Sequence, residues 1–147
     1  MGNVKLYAAT LQDFDGIIKL ADELIHLCDW SGRESMLKKS LRDPDCKVYV
    51  AKIDGKIVGF IELRLFPDFV EGALIAIVQN LIVDKKYRNL GIGGNLLERA
   101  IEEAEERNAV ELHVWTEFDN QQAINFYIKH GFKKRALLLE REMHREK

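Results

Sequence analysis

The spacing of apolar positions changes several times along the chain, and each change marks an expected element. Val4 to Ala8 reads as a short strand. Thr10 then offers an N-cap to a helix whose apolar residues Phe14, Ile17, Ile18, Ala21, Leu24, Ile25 and Cys28 recur at helical spacing. A second, weaker helix is expected from about Arg33 to Leu41. It stops near Asp43-Pro44, because the residue before proline is pushed out of the helical region. Cys46 to Ile53 and Lys56 to Phe66 are rich in β-branched and aromatic residues and are joined by Asp54-Gly55, a pair suited to a tight hairpin turn.

A polar loop, Pro67 to Gly72, precedes the most apolar strand, Leu74 to Val83, which only Gln79-Asn80 interrupts. Leu96, Leu97, Ala100, Ile101 and Ala104 form one stripe, with Glu98, Glu102, Glu103, Glu106 and Arg107 opposite, so a helix is expected over 93–107. From Val110 to Thr116 apolar and polar residues alternate as in a strand. A helix from Asn120 to His130 ends at Gly131, and an extended segment around Leu137 to Leu139 closes the chain. The order is β-α-α-β-β-β-α-β-α-β. Its β-α-β unit makes strands 74–83 and 110–116 parallel in an otherwise antiparallel sheet. The expected class is mixed α+β in three layers, one domain over residues 1–147.

At 147 residues and 47% hydrophobic composition, one core is enough. No apolar run approaches the ~20 residues of a membrane span, so no membrane partner is expected. Met1 to Tyr7 lacks the apolar stretch of a secretory signal, which points to a cytoplasmic protein. Cys28 and Cys46 form no C-x-x-C pair and have no nearby pair of histidines, so they read as buried or idle thiols and no metal is expected. Lys and Arg number 22 against 24 acids, a net charge of −2 that argues against a nucleic-acid partner. Any bound anion must be held locally.

Such a place exists at Arg88-Asn89-Leu90-Gly91-Ile92-Gly93-Gly94, between the apolar strand and the next helix. The first N–H groups of a helix have no partner inside it, and the helix dipole adds partial positive charge. Glycines permit unusual backbone angles and close approach, and Lys85, Lys86 and Arg88 add cations. A diphosphate suits this turn. A Walker loop would need Gly-Lys-Ser/Thr where Gly94-Asn95-Leu96 stands, and a dinucleotide fingerprint would need glycine at position 96, where leucine stands.

Arg88-x-x-Gly91-x-Gly93 after a strand resembles the acetyl-coenzyme A turn of the GCN5-related N-acetyltransferase (GNAT) superfamily. Asn120-x-x-Ala123-x-x-Phe126-Tyr127-x-x-x-Gly131-Phe132 is similar to the family's later motif, in the right order along the chain. The resemblance is strong from about Val58 to Phe132 and weak before residue 45. It implies a three-layer fold whose parallel strands splay to hold acetyl-coenzyme A as co-substrate. It also implies direct transfer of the acetyl group to a primary amine, a small molecule or a peptide, in a ternary complex. A homodimer is compatible with it. A non-catalytic acyl-coenzyme A sensor is the alternative.

The same resemblance implies that N–H groups of Leu90 to Gly94 hold the pyrophosphate and that the backbone of Leu81, Ile82 and Val83 pairs with the pantetheine arm. Tyr127 corresponds to the tyrosine that protonates the departing thiolate, a reasonable task for a phenol facing a thiol of pKa near ~8.5. Its alternative is a ring packed under the sheet. Asn120 is read as a helix cap, a pantetheine contact, or both. Gln79-Asn80 fits a bulge that frees a backbone N–H for the thioester carbonyl.

Gln79 stands where many relatives carry a glutamate, so the general base must lie elsewhere. An alkylammonium of pKa near ~10.4 is neutral to only about 1 part in 2,500 at pH 7 and needs one. Glu62, Glu71, Glu117 and His113 are candidates, with Glu62 first because it neighbours the central strand; an exposed strand carboxylate is its plain alternative. His26, Cys28, Asp29 and Trp30 end the first long helix, where the family places acceptor contacts; a packing cluster is the alternative.

Overall fold

In a computed structural model that describes residues 3–24 and 31–143, five strands form one sheet in the order β1-β2-β3-β4-β5. The elements are β1 (Lys5–Ala8), α1 (Phe14–Leu24), α2 (Arg33–Arg42), β2 (Cys46–Ile53), β3 (Lys56–Asp68), β4 (Ala73–Val83), α3 (Ile92–Glu106), β5 (Ala109–Val114) and α4 (Gln121–Lys129). β1 to β4 pair antiparallel, while β4 and β5, joined through α3, pair parallel. The expected mixed α+β fold with a single parallel pair is therefore present. The residues His26, Cys28, Asp29 and Trp30 lie outside the described part.

Two apolar layers flank the sheet. On one face Leu96, Leu97 and Ala100 of α3, with Tyr127 of α4, pack on Tyr49, Val58, Ile61, Leu63 and Val78. On the other, Ile17 and Leu20 of α1 pack on Val48, Val50, Phe60 and Ile82, with Leu37 and Leu41 of α2 beside them. The α3 layer also contains a buried polar lock. The Tyr49 hydroxyl donates to Glu103 at 2.8 Å while the Arg99 guanidinium lies over the Tyr49 ring. Burial, together with the Glu103 carboxylate, pushes the Tyr49 phenol up to about 12.

Local chemistry sets the entries and turns. Asp13 accepts the Thr10 N–H at 2.9 Å and pairs with Lys52 at 3.0 Å, fixing the turn into α1. Burial acts to raise the Asp13 carboxyl, but the Thr10 bond and Lys52 outweigh it, so the group titrates below the usual range. Asp54 (φ 49°) and Gly55 (φ 79°) both take left-handed angles, as the two-residue hairpin joining β2 to β3 requires.

Two expectations need correction. Pro67 and Asp68 are not loop: they continue β3 and pair with Leu74 and Ala73, leaving only a short turn tied by Asp68 Oδ1 to the Val70 and Glu71 amides. The segment Lys133 to Met143 forms no strand, and Leu137 and Leu139 are 84% and 87% exposed. A strand needs a row of backbone partners, and among the described residues this segment makes no backbone hydrogen bond. No helix among the described residues is long and apolar enough to cross a membrane.

Candidate active site

β4 carries the decisive irregularity. Its register with β3 jumps from Asn80 opposite Glu62 to Val78 opposite Leu63, so Gln79 bulges out without a partner. The ladder with β5 ends at the same level, Val78 opposite Val114. Beyond it, from Gln79 to Val83, β4 has no strand on its β5 side among the described residues. The polar pair Gln79-Asn80 is thus where the parallel strands part, and the backbone of Leu81, Ile82 and Val83 borders the gap.

β4 then leads through a short turn, capped by Asp84 on the Lys86 amide at 3.0 Å, into the glycine-rich segment. Asn89 (φ 65°) and Gly91 (φ 82°) take left-handed angles, and Gly91 is the N-cap of α3 without a side-chain cap. The first bond inside the helix runs from the Asn95 N–H to the Gly91 carbonyl at 2.9 Å. The amides of Ile92, Gly93 and Gly94 therefore precede the intrahelical ladder. Arg88, Asn89, Leu90 and Gly91 are exposed, so the mouth of α3 faces solvent.

Gly93 and Gly94 serve packing as well. A Cβ at Gly94 would come within 3.3 Å of His130 Cε1, and one at Gly93 within 3.5 Å of Phe126, so both positions bring α4 close to α3. Arg88 Nε reaches the Val83 carbonyl at 3.4 Å, folding this cation back toward the end of β4.

On α4, Asn120 caps its helix by accepting the Ala123 N–H at 3.2 Å. Tyr127 is buried edge-on against Phe126 and Phe132, with ring centroids 5.1 and 5.4 Å away. Burial alone pushes its phenol up to about 12, so the hydroxyl keeps its proton throughout the neutral range.

On the opposite face, a cleft of about 460 Å³ opens beside the bulge, lined by Gln79, Arg64, Phe66, Ile77, His113, Trp115, Asp43 and Asp45. Glu62 does not line it, but its partner does. Arg64 Nε and Nη2 donate to Glu62 Oε2 at 2.9 and 2.6 Å, and Asn80 Nδ2 donates to Oε1 at 2.8 Å. Arg64 is also held by Ser40 at 2.7 Å. The sequence reading missed Arg64, Ser40 and Phe66. Arg64 and Phe66 follow Glu62 at intervals of two along one strand, so the period of a strand would have placed all three on one face.

Of the other base candidates, His113 borders the cleft and contacts Glu111 at 3.1 Å. Glu71 lies in the β3–β4 turn and Glu117 just beyond β5, both exposed. Cys46 is buried, and burial pushes its thiol up, away from the nucleophilic thiolate.

With this geometry in view, residues 7–132 match the family model described as Acetyltransferase (GNAT) family. The chain belongs to this family. GNAT relatives include an uncharacterized N-acetyltransferase of Methanocaldococcus jannaschii, 32% identical over 98 residues, 66% of this chain but only 43% of that protein. The chain therefore spans less than half of that relative. A second, the aminoalkylphosphonate N-acetyltransferase of Salmonella typhimurium, is 29% identical over 131 residues, 88% of this chain and 85% of that one. Among solved structures, a transcriptional regulator from Bacillus halodurans C-125 superposes with a TM-score of 0.88 at 24% identity, covering 96% of this chain and 100% of that chain. At that identity the likeness speaks to the GNAT fold alone.

Proposed function

We propose that this GNAT domain, residues 1–147, transfers the acetyl group of acetyl-coenzyme A directly to a primary amine held in the cleft beside Gln79. The observation that carries this reading is the uncapped start of α3. Its first amides precede the intrahelical ladder beside the exposed Lys85, Lys86 and Arg88, an arrangement that would stabilise a diphosphate through fixed dipoles and local charge.

The residues fit such a ligand from end to end. The turn from Arg88 through Asn89, Leu90, Gly91, Ile92 and Gly93 to Gly94 would hold the pyrophosphate. The free edge of Leu81, Ile82 and Val83 would bond the pantetheine amides as an added strand does, and Asn120, the cap of α4, would be a further contact to that arm. The coenzyme supplies an activated thioester. A backbone N–H freed by the bulge would polarise its carbonyl, and Tyr127, which keeps its proton in the neutral range, would protonate the leaving thiolate.

Glu62, which stands behind Arg64 rather than in the cleft lining, would receive through a water the proton that the acceptor ammonium must shed. An ionised carboxylate offers about four lone-pair sites; Arg64 occupies two and Asn80 one, leaving Oε1 room for one more N–H. Phe66 and Trp115 line the cleft with Asp43, Asp45 and Arg64, aromatic residues beside both acidic and basic groups, of which Asp45 is paired with Arg107; the two rings suit a small cationic amine or the amine of a peptide. The Salmonella relative's name records an aminoalkylphosphonate acceptor, which has such an amine.

The test is calorimetry with coenzyme A followed by thiol release from acetyl-coenzyme A across a panel of amines. Binding with amine-dependent release is the expected outcome. Binding without release for any amine would favour the acyl-coenzyme A sensor, and no heat at all would overturn the reading.

A further inference from the structure

Arg64 is held firmly on one side and left open on the other. Its Nε donates to Glu62 Oε2 at 2.9 Å, and its Nη2 donates to the same oxygen at 2.6 Å and to Ser40 Oγ at 2.7 Å. Those bonds take the Nε hydrogen and both on Nη2. Nη1 keeps its own N–H groups, which find no acceptor among the described residues and are not buried. The side chain, 37% exposed, lines the cleft beside Gln79.

The clamp behind it is rigid. Ser40 is a buried residue of the last turn of α2, and Glu62 is fixed in turn by Asn80 Nδ2 at 2.8 Å. Burial acts to lower the Arg64 guanidinium, but the Glu62 carboxylate outweighs it, so the group keeps its charge. A guanidinium already oriented in this way loses little freedom on taking one more partner, unlike a loose surface arginine. The rest of the lining says what that partner carries. Asp43 stands in the same cleft, and Asp45 beside it is paired with Arg107. A plain anion would meet these acids, and a plain alkylamine would leave Nη1 unused. A zwitterion answers both, its ammonium offsetting the acids while its anionic end accepts from Nη1.

We propose that Arg64 determines which amines are accepted: its Nη1 holds a carboxylate oxygen of the acceptor, so the acetylated nitrogen belongs to a small amino acid. This inference rests on the proposed acetyl transfer and names the acceptor class of that same cleft. Arg64 does no bond making; it selects by holding the end of the acceptor that does not react.

The test compares initial rates of thiol release from acetyl-coenzyme A with glycine and β-alanine, with their amides glycinamide and β-alaninamide, and with ethylamine and propylamine. The two acids should give the highest kcat/KM, mainly through lower KM. Arg64→Met should lower kcat/KM for the acids about 10–100-fold more than for the alkylamines, the loss of one charged hydrogen bond. Comparing acids with alkylamines in each protein cancels any loss that all amines share through Glu62 or through folding. Ser40→Ala, which keeps the guanidinium and removes one of its supports, should lower the same ratio about threefold. Arg64→Lys, a point charge without the fork, should fall between the two. A wild type that treats acids and alkylamines alike would overturn the proposal, and so would a ratio that Arg64→Met leaves unmoved. Amides that serve as well as the acids would also overturn it, as would release with other amines and none with the acids. Wild-type protein that releases thiol with no amine at all would mark failure of the acetyltransferase reading itself and would take this role with it.

Discussion

On one face of the sheet, α3 and Tyr127 close an apolar layer that runs from Tyr49 to Val78, and the ligand-facing part of that side is backbone: the turn at Gly91 and the free edge of β4. On the other face, the cluster under α1 and α2 reaches Ile82, while Ile77, His113 and Trp115 are left beside an open cleft. On the proposed reading, the first side would bind through amide positions that many side chains would allow, provided the glycines stay, and the second through individual side chains drawn from three strands.

The sharpest way to break this contrast is Tyr127→Phe, which removes only a hydroxyl. We expect turnover to fall by ~10²–10⁴-fold with coenzyme A affinity unchanged by calorimetry. Because the phenol is pushed up to about 12, the wild-type rate should show no loss from tyrosine ionisation between neutral pH and about 10. A falling limb that vanishes in Tyr127→Phe would reverse the assignment.

Glu62→Gln probes the acceptor side. It should cost ~10²-fold in turnover, at the low end of general-base effects because water partly replaces the base, again without weakening coenzyme binding. Unchanged steady-state rates would remove Glu62 from the chemistry and leave it as the clamp that orients Arg64 and Asn80.

Gly91→Val should show the opposite selectivity. A β-branched residue at φ 82° is strained by about 1–2 kcal/mol, which would weaken coenzyme A binding by roughly tenfold and lower stability with it. Equal loss of acceptor affinity in initial-rate kinetics would show that the two faces are not separate.

Smallest is Asp13→Asn, remote from both faces, which should lower unfolding free energy by about 1 kcal/mol at neutral pH and leave kinetics alone. Since the folded-state carboxyl titrates below its unfolded value, its contribution is fully present above about pH 3.9 and is lost as pH falls through the lower folded value. Denaturant melts of the two proteins should converge there, and a gap that widens in acid would contradict the sign.

This division also explains what was legible in the sequence. The turn after β4 and the Asn120–Phe132 motif depend on spacing within short stretches, so they could be read directly, as could Gln79-Asn80 as a break in an apolar run. The cleft is assembled from Asp43, Arg64, Gln79 and Trp115, residues whose proximity only strand register creates. The Pro67–Gly72 segment misled because proline and acids suggest a loop, whereas Pro67 and Asp68 stand at the end of a hairpin where strand pairing continues. Leu137 to Leu139 misled for the converse reason: apolar composition supplies a strand's side chains but not its backbone partner.

The left-handed pair Asp54-Gly55 has reach beyond its own turn. Together with the register shift beside Ala51 and Lys52, it sets how β2 meets β3, so that Glu62 and Arg64 lie on the side where Arg64 bonds Ser40 of α2 while Ile61 and Leu63 pack under α3. Removing a single residue there would slide the alternation by one place, burying a carboxylate and a guanidinium in oil and turning two aliphatic chains outward. A dipeptide outside the cleft thus helps set the phase of the side chains on the face that carries Arg64 and Phe66.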